Sequence, residues 1–428
     1  MNSSARLEPT RLARTLAGTS AMPLARGVES ALIAVVVATF FTQGDLWLNR
    51  HGKMPLPPTL LYPLLVVPLV AVAWVRHPRR ALDATLRIAS HQQTVLFAFA
   101  SAAAISLLWS VAPGADWSGG GKNVFLESYG FACFVLAMAL GAHDLARRDV
   151  RAHVGFAFAV LIATIGYDLV APGTFAEHHS RAAGLGSDPN ISATMLVIAC
   201  ALLVDPMRPV KRDLLPLGLT TGAIFVTLSR TGVVLFAILL AWLAFGAWLR
   251  APSARVRRRL AGALVVLAVG TLLAGATVRE LAEREIGMFA QPATRNRVLM
   301  LTGGESGPGF FDAHEDQRVG LLLTHLGLVA ERPWLGHGTA FSKRQPRGAH
   351  NRYVRQWTDE GVPGVVAFVA LLGFGFVTAR RAGDPGLALV WVLVAAAAFV
   401  DNLILDNRGV LMALGLRSGA TALRGSAP

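Results

Sequence analysis

His350-Asn351, separated by nine residues from Gly361-x-x-Gly364, is the stretch of this chain best suited to chemistry. It lies in the longest hydrophilic segment and leads directly into an apolar run, which puts a titratable imidazole at a membrane boundary. Arg344, Arg347, Arg352 and Arg355 surround it in sequence. A dense positive field favours the neutral imidazole, the form that accepts a proton. Beside a bound anion, such a histidine suits general-base catalysis on a hydroxyl. The bland alternative is a surface histidine in a basic loop, one of 11 in the chain.

Two arginines add a second chemistry. Arg230 falls in Ser229-Arg230-Thr231-Gly232, between two apolar runs. An arginine there must reach water, an acidic partner or an anionic ligand. Its planar fork matches phosphate oxygens in pairs and stays charged at physiological pH. The competing reading is an anchor that snorkels to the interface. Arg181 precedes Gly184, Gly186 and Asp188-Pro189-Asn190. Proline and a capping carboxylate explain the last three as an ordinary helix start. The two glycines permit close backbone approach to another element or a ligand. His178 and His179 are adjacent with no spaced third ligand, so no metal site is expected there.

The elements that must hold these residues are helices in a bilayer. The chain has 428 residues, 54% hydrophobic and 15% charged, with mean hydropathy +0.50. A soluble domain carries about 25% charged residues. The expected fold is all-α, a polytopic transmembrane bundle of about 12 spans at ~20 residues or slightly fewer each. The spans are read at 28–48, 58–75, 93–112, 124–141, 153–171, 190–204, 214–228, 231–249, 260–277, 361–379, 386–402 and 405–416. The boundary within 214–249 is open: a tight turn, or one broken helix with Arg230 at the break.

The net charge of +14 is a topology signal rather than a sign of nucleic acid. Taking the gaps alternately, one side holds 23 Lys and Arg, and the short loops of the other hold only a handful. Residues 1–27 and 417–428 are therefore expected in the cytoplasm, and segment 278–360 on the outer side. Arg6, Arg11, Arg14 and Arg26 ahead of the first span read as a retained signal anchor. Cys133 and Cys200 fall within spans and read as small packing residues. Within 278–360, residues 291–317 carry Gly303-Gly304, Gly307 and Gly309 and suit a flexible loop or lid. Arg318 to Arg332 comes next, with Val319, Leu322, Leu323, Leu326 and Val329 at helical spacing and Pro333 as the stop. That helix is too short to span; it lies along the interface or packs on the bundle.

These motifs resemble the O-antigen ligase and polymerase superfamily. His350-Asn351 with Gly361-x-x-Gly364 matches the family's histidine motif in full, and Pro333-Trp334-Leu335-Gly336-His337-Gly338 looks like its Pro-hydrophobic-Gly-x-Gly element. Ser229-Arg230-Thr231-Gly232 matches its Ser-Arg-Thr-Gly turn, Asp188-Pro189-Asn190 its Pro-Asn helix start, and Arg318 a common arginine position. Order and spacing agree from about residue 180 to 365; the first 150 residues match only as hydrophobic spans.

The resemblance implies a glycosyltransferase in the bacterial inner membrane with its active site facing the periplasm. Its donor is a glycan on undecaprenyl pyrophosphate. Arg230, Arg181 and Arg318 would bind the pyrophosphate and stabilise charge on the leaving group. Asn190 falls among the substrate-binding positions. His350 would deprotonate the acceptor hydroxyl, which attacks the anomeric carbon with inversion. Asn351 would orient the imidazole or the sugar; Glu360 would pair with an arginine. No metal and no cofactor are implied, the guanidinium groups supplying the positive charge. The acceptor ranks as lipid A core first, a second lipid-linked glycan next, and a protein last. A transporter would instead show charges or breaks inside several spans, whereas the charges here are read at one outer face. A scaffold without catalysis would need no His-Asn pair.

Overall fold

The computed structural model describes residues 22–76, 78–111, 117–176, 181–205, 211–250, 310–345, 348–401 and 404–423, with isolated residues between 258 and 299. Among these residues the chain is helical with no strand. In order the helices are α1 (Met22–Phe41), α2 (Gly44–Arg50), α3 (Pro58–Arg76), α4 (Pro78–Trp109), α5 (Trp117–Ala142), α6 (Asp144–Val170) and α7 (Pro189–Leu203). They continue as α8 (Leu214–Thr227), α9 (Arg230–Arg250), α10 (Phe310–Glu331), α11 (Arg352–Arg381), α12 (Pro385–Ala397) and α13 (Arg408–Ala422).

Phe97, Val170 and Val366 are exposed on the exterior of the bundle, as a surface that meets lipid requires. Small residues bring two helices of the interior into close contact. α13 lies against α5 at backbone distance: a Cβ on Gly415 would stand 2.7 Å from the Phe134 carbonyl oxygen, and one on Gly419 would overlap the Met138 carbonyl. Close approach of this kind replaces the hydrophobic drive that helices lack in lipid. α7 is buried along almost its whole length, packed by α6, α8, α9 and α12.

Among the described residues five helices are long and apolar enough to cross a membrane, within α3, α4, α5, α6 and α11. They become six if α1 and α2, bent by 68° at the break between them, form one span. The expected count of twelve is not supported. Apolar windows counted as full spans at 190–204, 214–228 and 386–402 are helices of 15, 14 and 13 residues. Loop residues such as Val204 and Leu228 lengthen them in the sequence. The expected span 260–277 and most of 291–309 lie outside the described residues.

Two further expectations change. The sequence carries the hydrophilic segment on to residue 360, yet helix begins at Arg352 and these residues are mostly buried. The helix expected at 318–332 runs over Phe310–Glu331 and packs on α11, but not through the leucine stripe. Leu323 and Leu326 face outward, while His325 and Val329 are buried. Near a bilayer the outward side can be the apolar one, so periodicity alone does not identify the packed face.

Candidate active site

His350 is exposed and sits at φ 48°, in the left-handed region. That backbone costs a non-glycine residue about 1–2 kcal/mol and concentrates at functional positions. The three residues after it hold it in place. Asn351 is the N-cap of α11, its side-chain oxygen accepting from the Val354 amide at 3.1 Å. The Arg352 amide donates to the Ala398 carbonyl at 2.7 Å, and the Tyr353 hydroxyl to the Ala395 carbonyl at 3.0 Å. Both ties fix the start of α11 to the end of α12, so the histidine is carried on an anchored helix terminus.

α11 is interrupted at Gly361, with φ 66° and ψ −156°. The break frees two carbonyls from the helix ladder. The Thr358 carbonyl takes the His337 amide at 2.9 Å and the Asp359 carbonyl takes the Gly338 amide at 2.8 Å. The Val362 amide in turn donates to the Trp334 carbonyl at 3.2 Å. A Cβ on Gly336 would stand 2.6 Å from the Asp359 carbonyl oxygen, and one on Gly361 would overlap the Trp334 carbonyl. The two glycine motifs, 25 residues apart, are therefore one backbone junction. Trp109 at the end of α4 completes it, its indole N–H donating to the Leu335 carbonyl. His337 belongs to this junction: buried, stacked on Phe341 at 4.4 Å, with a ring nitrogen 2.8 Å from the Leu328 carbonyl oxygen.

The first turns of α11 carry a charge cluster that sequence reasoning missed. Arg352 and Arg355 are 4% and 1% exposed. Arg352 donates to Glu127 of α5 at 3.2 Å and to Asp406 at 3.3 Å, and Arg355 donates to Asp406 at 3.4 Å. Asp359 accepts from the Ser342 amide and hydroxyl, and Glu360 accepts from Gln356. Glu127, Arg352, Gln356 and Asp406 are among the residues that line a cavity, together with Phe99 and Phe368. Burial works to raise the Asp406 carboxyl, but the Arg352 and Arg355 guanidiniums outweigh it and hold the group below the usual carboxylate range. Lys343 keeps some contact with solvent, and burial, followed by the Arg355 guanidinium, pushes its ammonium down to about 8.

This corrects two expectations. Arg352 and Arg355 do not form a free positive field around His350, because carboxylates neutralise them; Arg347 lies outside the described residues. Charge is also not confined to one face. Glu29 pairs with Arg76 and His143, and Asp384 with Arg417, at the opposite end of the bundle.

A second constellation gathers around the start of α7. Arg181 is 9% exposed, and its Nε donates to the Thr227 carbonyl at 3.0 Å. Its Nη2 reaches the Asn190 side-chain oxygen at 3.1 Å and the Leu228 carbonyl at 3.4 Å. The same Asn190 oxygen accepts from the Ser229 hydroxyl at 3.0 Å, and Ser229 Oγ caps α9 by accepting from the Gly232 amide at 3.1 Å. Arg181 thus closes the carbonyls left open at the end of α8, where Leu228 turns left-handed at φ 50°. The open boundary at 229–230 resolves as a tight turn, with Arg230 as the first residue of α9 and exposed.

Asp168 of α6, which the sequence does not single out, holds the loop that carries Arg181. Its carboxylate accepts from the backbone amides of Phe175, Ala183 and Gly184 at 2.8–3.0 Å. Asp188 caps α7 as expected, accepting from the Asn190 and Ile191 amides. An acidic side chain ahead of a loop carries no pattern that would have revealed Asp168; only the fold does.

Residues 215–369 match the family model described as O-antigen ligase. That match supports the O-antigen ligase superfamily. It covers Arg230, Arg318, His350, Asn351 and both glycine motifs, while Arg181 and Asn190 lie upstream of it. The superfamily comprises ligases and polymerases that use lipid-linked glycans. No curated protein matches the chain.

The expected site residues fall into two sets. Arg181 and Asn190 touch, with Arg230 beside their partner Ser229. His350 and Asn351 stand at the start of α11. The sets lie at one end of the bundle: α7 and α12 run antiparallel, so the start of α7 and the end of α12, where Arg352 is tied, share a side. Their opposite ends meet where Gly386 faces Ala201. Arg318 lies on α10, which packs against α11; its side chain is outside the described residues.

Proposed function

We propose that this protein is an O-antigen ligase of the bacterial inner membrane. It transfers a glycan from undecaprenyl pyrophosphate to the lipid A core at the periplasmic face. What supports this most is the exposed Arg230 beside the Arg181–Asn190–Ser229 network, at the same end of the bundle as the strained, exposed His350. Arg230 and Arg318 bind the pyrophosphate and stabilise the charge that develops as it leaves. Arg181, occupied with the α8 carbonyls, shapes the site and adds its field. His350 takes the proton of the acceptor hydroxyl while that oxygen attacks the anomeric carbon from the face opposite the pyrophosphate, which inverts the configuration. Asn351 acts through the backbone: as the cap of α11 it sets where the imidazole stands.

The alternative acceptor is a second lipid-linked glycan, which would make the protein a polymerase. A deletion strain separates the two. Loss of all polymer linked to lipid A indicates a ligase, whereas core capped by a single repeat indicates a polymerase. An unchanged profile of surface glycans contradicts both.

A further inference from the structure

Arg50 lies outside the sequence motifs and outside the matched region, yet the structure brings it to the same site. α2 is a short helix set off from α1 by Thr42-Gln43, where Gln43 is left-handed at φ 58°. It is held in place at both ends. Asp45 pairs with Arg408, the first residue of α13, at 2.6 Å, and the Trp47 ring lies 5.3 Å from that of Phe175. From its last turn Arg50 donates through Nη1 to the Ser187 hydroxyl at 2.7 Å. Ser187 is at φ 55° and directly precedes Asp188, the cap of α7. Two residues beyond that cap is Asn190, which joins Arg181 to Ser229 and so to Arg230.

The Arg50 and Arg181 guanidiniums therefore meet the start of α7, where Arg230 follows Ser229 in the chain, and the three side chains differ in exposure. Arg181 is buried with its nitrogens on carbonyls and Asn190. Arg50 and Arg230 are exposed. A diester of pyrophosphoric acid carries two negative charges, one on each phosphoryl group, and each group presents oxygens that accept from a guanidinium fork. We infer that Arg50 is a further pyrophosphate-binding residue beside those proposed above, which engages the donor's pyrophosphate together with Arg230 and is aimed by its bond to Ser187. This rests on the proposed pyrophosphate donor. A cation at the end of a helix is also favoured by the helix dipole, but the dipole needs only a charge, whereas paired contact with phosphate oxygens needs the fork.

The test uses full-length protein in nanodiscs, with lipid-linked donor and a core-oligosaccharide acceptor. Steady-state constants are measured for the wild type, Arg50→Gln, Arg50→Lys, Ser187→Ala and Arg230→Gln, along with inhibition by inorganic pyrophosphate. Loss of a charge-assisted contact corresponds to about 10-fold or more. Arg50→Gln should raise the donor KM and the inhibition constant of pyrophosphate by about that factor, with acceptor KM unchanged. Arg50→Lys should recover only part of the loss, although it satisfies the dipole equally. Ser187→Ala leaves every charge in place and should raise donor KM a few-fold, so the inference stays testable if Arg50→Gln fails to fold. Donor KM and pyrophosphate inhibition unchanged in Arg50→Gln and Ser187→Ala, with Arg230→Gln impaired, would overturn the role of Arg50 alone. Unchanged values in all three would overturn the pyrophosphate donor as well.

Discussion

Gly361→Ala probes the backbone junction between α11 and the 334–338 loop. At φ 66° and ψ −156° the glycine occupies a region essentially closed to other residues, at a cost of about 1–3 kcal/mol for alanine. The added Cβ would overlap the Trp334 carbonyl and stand 2.7 Å from the Gly336 amide nitrogen. Both neighbours are backbone, so relief requires the 334–338 loop to withdraw. Withdrawal breaks the bonds from His337 to Thr358, Gly338 to Asp359 and Val362 to Trp334, each worth about 1 kcal/mol net. Together the penalty is about 4–6 kcal/mol. Gly373 on the same helix is the control, because it has helical backbone and open space where a methyl would sit. Alanine there should stabilise by about 0.5–1 kcal/mol. Thermal unfolding of the two variants in detergent, monitored by tryptophan fluorescence, should show Gly361→Ala melting far below wild type and Gly373→Ala at or slightly above it. Equal melting of the two would refute the junction.

Three other outcomes are expected from the geometry. Arg230→Lys keeps the charge at the start of α9 but loses the fork, so transfer should fall at least 10-fold in the reconstituted assay; near-normal transfer would reduce Arg230 to an anchor. Lys343, held at about 8 against an unfolded value of 10.5, releases its proton in the folded state before the unfolded one does. Folding stability should therefore rise from pH 8 towards 10.5, and a Lys343→Gln variant should lack that increment in melting temperature. Reporter fusions at Gly304 and at the C-terminus should give opposite-side signals, from the loop charge asymmetry; same-side signals would refute the orientation.

Motif residues are legible in the sequence to the extent that local backbone rules govern them. Asp188 and Pro189 read as a helix start and form one. Gly336 and Gly361 read as two separate motifs, and only the fold shows that each excludes a side chain from the other's backbone. Arg352 and Arg355 read as loop cations because their partners, Glu127 and Asp406, are 225 and 51 residues away from them respectively. Arg50 and Asp168 carry no local signal, since their roles exist only through Ser187 and through the amides of Ala183 and Gly184. The span count goes unsupported for a related reason. An apolar run reports that a segment avoids water, not whether it crosses the bilayer or is packed inside the bundle, as α7 is.

The measurement closest to the central claim is transfer and donor binding by His350→Ala, made on the same preparation. His350 is exposed, and Asn351 rather than the imidazole caps α11, so the substitution should leave the fold intact. General-base assistance is typically worth about 10²–10⁴ in rate. In the proposed mechanism the arginines, not His350, hold the donor, so donor binding should remain near wild type while transfer falls by that factor. His350→Ala transferring within a few-fold of wild type, with the donor still bound, would contradict the assignment of His350 as the base.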